Sequence, residues 1–181
     1  MGESLVGKTA IVRTFVQDKA HNGISLVTTG IDTINKNIEI NEKKILLKLI
    51  DGCWCQHARS IICQYIPGAQ ALILIYDITS KRSFDDLKEW LNRIKQYEHD
   101  KNKRIYRILL GNKCDYKKER DIEFEEGKEF ADENGMKFFE ISTKLNLNVK
   151  ESFLEITKDL INIFEQKKKM DNSVKPVTLT K

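Results

Sequence analysis

The reading of the fold starts from the octet Gly2-Glu3-Ser4-Leu5-Val6-Gly7-Lys8-Thr9. Two glycines bracket four residues and are followed by a lysine and a hydroxyl, the pattern of a phosphate-binding loop. Glycine lets a backbone wrap closely around an anion. Successive N–H groups, and the N-terminus of a helix expected from about Lys8 to Phe15, then point at that anion. The Lys8 ammonium would reach the outer phosphates of a nucleotide, and the Thr9 hydroxyl is placed to ligate Mg²⁺. A chance glycine loop ahead of a helix is the bland alternative, so the flanking sequence carries the decision.

Downstream, strand-length apolar runs alternate with amphipathic helical stretches. Residues 33–40 and 44–51 read as two strands, with Asn41-Glu42-Lys43 as the turn of an antiparallel hairpin. A short helix is expected from about His57 to Ile66. Gln70 through Tyr76 is nearly all apolar, which suits a strand buried on both faces of a parallel sheet. Ser83, with Asp86 three residues on, is expected to cap the next helix, whose stripe is Leu87, Trp90, Leu91, Ile94 and Tyr97. Residues 105–110 read as a second buried strand and 123–134 as a helix stopped by Gly135. Lys137 to Ile141 reads as a last short strand. Asn148 and Glu151 are expected to cap a final helix carrying Val149, Phe153, Ile156, Leu160 and Phe164 on one face. Strands alternating with helices place the chain in the α/β class with a mostly parallel sheet, and ligands on such sheets sit in the loops at the carboxyl ends of the strands. After about Lys167 the periodicity is lost, Pro176 intervenes, and the remainder reads as a disordered tail.

The bulk numbers agree with one soluble domain. The chain has 181 residues, 40% hydrophobic and 32% charged, which is ordinary for a globular protein and enough to bury a core. The net charge of +4 is small and scattered, which argues against nucleic acid as a partner. The four cysteines, Cys53, Cys55, Cys63 and Cys114, follow no secretory signal, so reduced cytosolic thiols are expected. No apolar run approaches the roughly 18 residues that span a bilayer.

Two further motifs fall at the ends of expected strands. Asn112-Lys113-Cys114-Asp115 follows the strand that ends near Gly111. A carboxylate there can accept from guanine N1–H and its exocyclic amine. Adenine lacks that amine and presents an acceptor at N1, so it would leave buried polar groups unpaired at about 1–3 kcal/mol each. Ser142-Thr143-Lys144 follows the last strand, where backbone N–H groups would meet guanine O6. Taken singly, Asn112 and Asp115 are equally at home as turn residues. Taken in order with the opening octet, the three motifs are far more specific.

In these residues the chain resembles the small GTPases of the Ras superfamily. Thr28-Thr29-Gly30-Ile31-Asp32 and the strand ending in Asp51 lie between the motifs as they do in that family. Tyr65-Ile66-Pro67-Gly68-Ala69, Ile75-Tyr76-Asp77-Ile78-Thr79, Ser83-Phe84 and Lys128-Glu129-Phe130-Ala131 look like the Rab branch. The resemblance covers Gly2 to about Phe164. It implies a P-loop NTPase small G domain over residues 1–166, with a mostly parallel central sheet, helices on both faces, and a tail over 167–181. It also implies GTP or GDP with Mg²⁺ as ligands. Gly2 through Thr9 and Thr28 would hold the phosphates. Asn112, Lys113, Asp115, Ser142, Thr143 and Lys144 would hold the guanine. Thr9, Thr28 and Asp51 would hold the metal, Asp51 through water.

The departures are as informative as the matches. Family members follow the metal-binding aspartate with Thr-Ala-Gly-Gln, whereas this chain reads Asp51-Gly52-Cys53-Trp54-Cys55-Gln56. Trp54 replaces the hinge glycine whose N–H senses the γ phosphate. Cys55 replaces the glutamine that orients the attacking water, and a thiol is a poor and short substitute. No confident catalytic residue remains, and Gln56 is a weak candidate. Lys19-Ala20-His21 stands near the Rab aromatic that packs on guanine. His21 could stack there or simply be solvated. The Rab hydrophobic triad corresponds to Thr33, Ile50 and Tyr65, of which only Tyr65 keeps aromatic character, so ordinary effectors are not expected to bind. The family's first strand, expected ahead of Gly2, is missing from the sequence, which reads as a domain incomplete at its N-terminus whose neighbouring strands are left unpaired. No cysteine follows Cys114 to carry a prenyl group. Lys167-Lys168-Lys169 could touch an anionic membrane at about 1 kcal/mol per charge.

Three functions remain open from sequence. The first is a GTP-binding switch of the Rab type in vesicle traffic, with impaired hydrolysis. The second is a pseudo-GTPase scaffold that does not cycle. The third is an active hydrolase using unconventional residues. A monomer in the cytoplasm is expected, or at the cytosolic face of endomembranes, with effector and regulatory proteins as partners. A rival reading takes Cys53, Cys55, His57 and Cys63 as zinc ligands, although Cys-x-Cys is tight for a structural site.

Overall fold

The computed structural model describes residues 1–21, 23, 28, 30–52, 65–101 and 105–173. Apolar runs become the centre of the fold. Strand β3 (Ala71–Asp77) lies beside β4 (Tyr106–Asn112), and β4 beside β5 (Lys137–Glu140), all parallel. Leu74, Ile108, Leu109 and Leu110 are fully buried, as expected for strands covered on both faces. Two earlier strands, β1 (Ile31–Ile40) and β2 (Lys43–Gly52), form an antiparallel hairpin. Its turn is tighter than the sequence suggested: Asn41 and Glu42 supply it with φ of 49° and 64°, both left-handed, the geometry that matches strand twist.

Helices cover both faces of β3-β4-β5. On one face, α1 (Lys8–Gln17) and the last helix, α5 (Val149–Ser173), pack through Ile11, Phe15, Val149, Phe153 and Ile156. Phe15 and Phe153 stack at 4.0 Å between centroids. Lys36, from β1, donates to the carbonyls of Phe15 and Val16 and so satisfies the C-terminal end of α1. On the other face lie the short α2 (Lys81–Asp85), α3 (Leu87–Lys101) and α4 (Phe124–Glu133). Phe84, Leu87, Trp90, Ile94 and Phe130 fill that core. Gly135 takes φ 62° just after α4, the left-handed stop expected from sequence.

Two expectations about local structure are corrected, at Ser83 and at residues 167–173. Ser83 does not begin its helix. Ser80 is the N-cap and accepts from the Ser83 N–H, while the Ser83 hydroxyl bonds back to Ser80 and Asp77. Asn148 stands in the N-cap position expected of it, directly ahead of Val149 with its carbonyl accepting from the Ser152 N–H at 3.1 Å; it sits at φ 56° and its amide nitrogen donates to Glu140 O at 2.9 Å. Residues 167–173, expected in the tail, continue α5, because Gln166, the three lysines and Met170 are all strong helix formers. The helix expected from His57 lies mostly outside the described residues, and Ile66–Gly68 is a 3-10 turn. Among the described residues, no helix is long and apolar enough to cross a membrane.

The strands form two sheets, β1-β2 and β3-β4-β5. Between β2 and β3 lies a groove of about 490 Å³ lined by Leu47, Leu49, Ile73, Ile75, Phe153 and Ile156 among others. Met1 occupies its end as a single strand rung. Its amino group donates to Ile73 O, and its carbonyl accepts from the Ile75 N–H at 2.7 Å. Burial, reinforced by the nearby Lys8 charge, pushes that amine down to about 4. Its folded-state value lies below the unfolded one, so between about pH 4 and 8 the unfolded chain binds the proton and the folded chain does not.

Candidate functional site

The motif residues that the structure describes gather in the loop ahead of α1 and its first turn and at the carboxyl ends of β4 and β5, with Thr28 between α1 and β1 and Asp51 near the end of β2. The opening octet is a compact turn with Leu5 at φ 66° and Gly7 at φ 97°. Gly7 is the N-cap of α1, and the Ile11 N–H donates to its carbonyl at 2.9 Å. A side chain at Gly7 would have no room, since an added Cβ would lie 2.3 Å from the Asn112 amide nitrogen. At Gly2 it would lie 2.1 Å from the Ile75 carbonyl oxygen. Both glycines are thus required by close approach as well as by backbone angle. The Lys8 ammonium curls back over the loop and donates to the carbonyls of Gly2 at 3.0 Å and Glu3 at 2.5 Å. That placement folds a cation onto the loop's own carbonyls, beside the N-terminus of α1.

Thr9 and Thr28 meet through their hydroxyls, 2.6 Å apart. Asp51, near the end of β2, is 3% exposed. Its charge bears on the Met1 amine at the head of the groove. Two hydroxyls and a buried carboxylate are hard oxygen donors, a set suited to Mg²⁺. Cys53, Trp54, Cys55, Gln56, His57 and Cys63 lie outside the described residues.

The second half of the site is built by β4 and β5. Asn112, 1% exposed, donates from its side-chain nitrogen to Val6 O at 2.9 Å. Its Oδ1 is buried without a hydrogen-bond partner among the described residues. The chain then turns sharply: Lys113 has φ 68°, the Tyr116 N–H donates to Lys113 O, and the Cys114 N–H donates to Ile141 O. Burial, with Glu140 and Asp115 beside it, pushes the Cys114 thiol up, so it stays a neutral packing group. Asp115 accepts from the Ser142 hydroxyl at 2.6 Å through Oδ1. Lys144 lies 3.8 Å from Oδ2 and 4.7 Å from the centre of the Tyr116 ring. The Asp115 side chain is 9% exposed, with Oδ2 turned toward Lys144.

The Ser142-Thr143-Lys144 loop meets this carboxylate from the other side. The Ser142 amide, one of the three expected to face a ligand, instead donates to Leu147 O, which leaves that task to Thr143 and Lys144. The His21 N–H donates to Thr143 O at 2.9 Å, so the segment after α1 is tied to the same loop. Nothing in the sequence signalled this contact, because it joins two loops through backbone atoms alone. Of the triad Thr33, Ile50 and Tyr65, Thr33 and Ile50 pair directly across β1 and β2 while Tyr65 stands just ahead of the 3-10 turn; Thr33 and Tyr65 are exposed and Ile50 is half-buried.

Comparison with known proteins agrees with this assembly. The sequence model of the Ras family matches residues 1–162. The chain is 36% identical to the GTP-binding protein ypt2 of Schizosaccharomyces pombe over 160 residues, 88% of this chain and 78% of that protein. It is 36% identical to the Ras-related protein Rab-8B of Homo sapiens over 173 residues, 96% of this chain and 82% of the relative. With the Ras-related protein Rab-10 of Diplobatis ommata it shares 36% identity over 161 residues, 89% and 78% of the two chains.

Proposed function

The chain belongs to the Ras family as a Rab-like small GTPase, and from that we propose that it binds GTP and GDP with Mg²⁺ as a regulator of intracellular vesicle traffic, and hydrolyses GTP very slowly. One contact carries the binding half of this reading. The Asn112 side chain bonds to Val6 O across 106 residues of sequence and fixes the base-reading loop against the phosphate loop. A pocket for base and phosphate together needs that fixed spacing, and a plain turn at either motif does not.

Within this reading, Gly2 through Thr9 cradle the phosphates with Lys8 as the cation. Thr9 and Thr28 would hold Mg²⁺ directly and Asp51 through water, and the ion would neutralise phosphate charge. Asp115 accepts from the guanine edge, Asn112 and Lys113 shape the loop around it, and the Thr143 and Lys144 amides meet O6. Titration with a fluorescent GDP or GTP analogue tests it: saturable binding at micromolar concentration or below is expected. Failure of both nucleotides to bind would end the reading.

The hydrolysis half rests on Cys55 and Trp54 in the place of glutamine and glycine. Without a water-orienting amide, the single-turnover rate should fall below the roughly 10⁻⁴ s⁻¹ of ordinary family members. Cys55→Gln should raise it about tenfold if the loop can place the new amide. A wild-type rate at the family's ordinary level would contradict this half alone. Thr33, Ile50 and Tyr65 form the effector-facing surface in this account, and Lys167 to Lys169 at the end of α5 supply a weak contact with anionic membrane.

A further inference from the structure

Asp77 ends β3 directly opposite Asn112, the last residue of β4. Its carboxylate is 10% exposed and both oxygens are engaged. Oδ1 accepts from the Thr79 N–H at 2.9 Å and the Thr79 hydroxyl at 2.8 Å. Oδ2 receives the Lys113 ammonium at 2.5 Å. The surrounding turn is rigid: the Asp77 N–H donates to the Ser83 hydroxyl at 3.0 Å, and the Ile78 N–H donates to Asn112 O at 3.1 Å.

Lys113 itself has a left-handed backbone, φ 68°, which a lysine adopts only when its surroundings hold it there. The turn it makes carries the chain from Asn112, bonded to the phosphate loop, to Asp115, whose carboxylate meets the Ser142 loop. Its ammonium could be drawn toward either nearby carboxylate. In the structure it is committed to Asp77, on the β3 side. Asp115 is left with the Ser142 hydroxyl and the more distant Lys144.

We propose that Asp77 is a positioning residue for guanine recognition: by holding Lys113 toward β3, it fixes the left-handed turn and keeps that ammonium from competing for Asp115. The proposal rests on the guanine-binding reading above. Asp77 does not touch the nucleotide. It acts through Lys113, and its effect is confined to the base end of the pocket.

The test is a double-mutant cycle on the full chain with GDP and ADP. Asp77→Asn keeps the shape and removes the charge. It should speed GDP dissociation about tenfold and shrink the preference for GDP over ADP by a similar factor. In a Lys113→Ala background the same change should have almost no further effect, because the partner is already gone. Asp77→Glu should recover part of the loss. Additive effects in the cycle, or equal losses for GDP and ADP, would overturn the proposal. Amide hydrogen exchange over residues 113–116 of the nucleotide-free protein reads the same role without a ligand, and should quicken in Asp77→Asn while the α3 amides stay unchanged. If wild type bound no GDP, the guanine reading would fall and the exchange result would still decide Asp77: unchanged exchange rejects it.

Discussion

Lys8→Ala is expected to weaken GDP and GTP binding about 10²- to 10³-fold while leaving the fold standing. The ammonium donates to Gly2 O and Glu3 O and so stitches the loop to itself in the free protein. Both bonds lie within one partly buried loop, so the loss of stability should be small beside the loss of binding. Once phosphates enter, the same ammonium is the cation nearest them, and truncating one member of a desolvated charge pair costs about 2–5 kcal/mol. Lys8→Arg should not rescue fully, because a planar guanidinium cannot follow the tight curl over the loop. Calorimetric titration alongside a thermal melt checks both halves. A variant that keeps wild-type affinity would remove Lys8 from the phosphate site.

Gly7→Val is expected to damage stability and binding together. The backbone there is left-handed at φ 97°, a region that a β-branched residue enters only with strain. The new side chain would also collide with the Asn112 amide, 2.3 Å from the position of its Cβ. Relief requires Asn112 to swing away from Val6, leaving buried polar groups unpaired at about 1–3 kcal/mol. Together with the backbone strain, the loss should be about 3 kcal/mol, or about 6–12 °C in the midpoint of a domain this size. Nucleotide affinity should fall below detection, since the spacing between the two loops is broken. Gly30→Ala is the control, because an added Cβ there meets nothing within 4 Å.

The parts of this protein that sequence made legible are those where one residue type has one physical use. Gly2 and Gly7 could be read because only glycine tolerates the approach of Ile75 O and the Asn112 amide. The runs through Leu74 and Leu109 could be read because strands buried on both faces must be apolar throughout. The rest depended on contacts between distant segments. Ser80 and Ser83 are equally good caps by composition, and the choice follows from Ser83 being claimed by Asp77. Asn148 was read as a cap and stands directly ahead of α5, but its amide bond to Glu140 O across the turn had no sequence signal. The end of α5 was placed too early because a lysine run is polar enough for a tail and helical enough for a helix. The Asp77–Lys113 pair had no sequence signal, since an aspartate at the end of a strand is also an ordinary turn residue.

The groove between β2 and β3 is floored by Phe153 and Ile156 because α5 packs on the same face of the sheet as α1, a contact between distant segments that periodicity alone does not show.

Guanine recognition through Asp115 is the claim on which the account depends, and a graded series of diphosphates measures it most directly. GDP presents N1–H and the exocyclic amine, inosine diphosphate only N1–H, and ADP neither. Calorimetric titration with Mg²⁺ present should give GDP tightest, inosine diphosphate about tenfold weaker, and ADP at least about a hundredfold weaker, with the first step lost in Asp115→Ala. Equal affinities for GDP and ADP would contradict it.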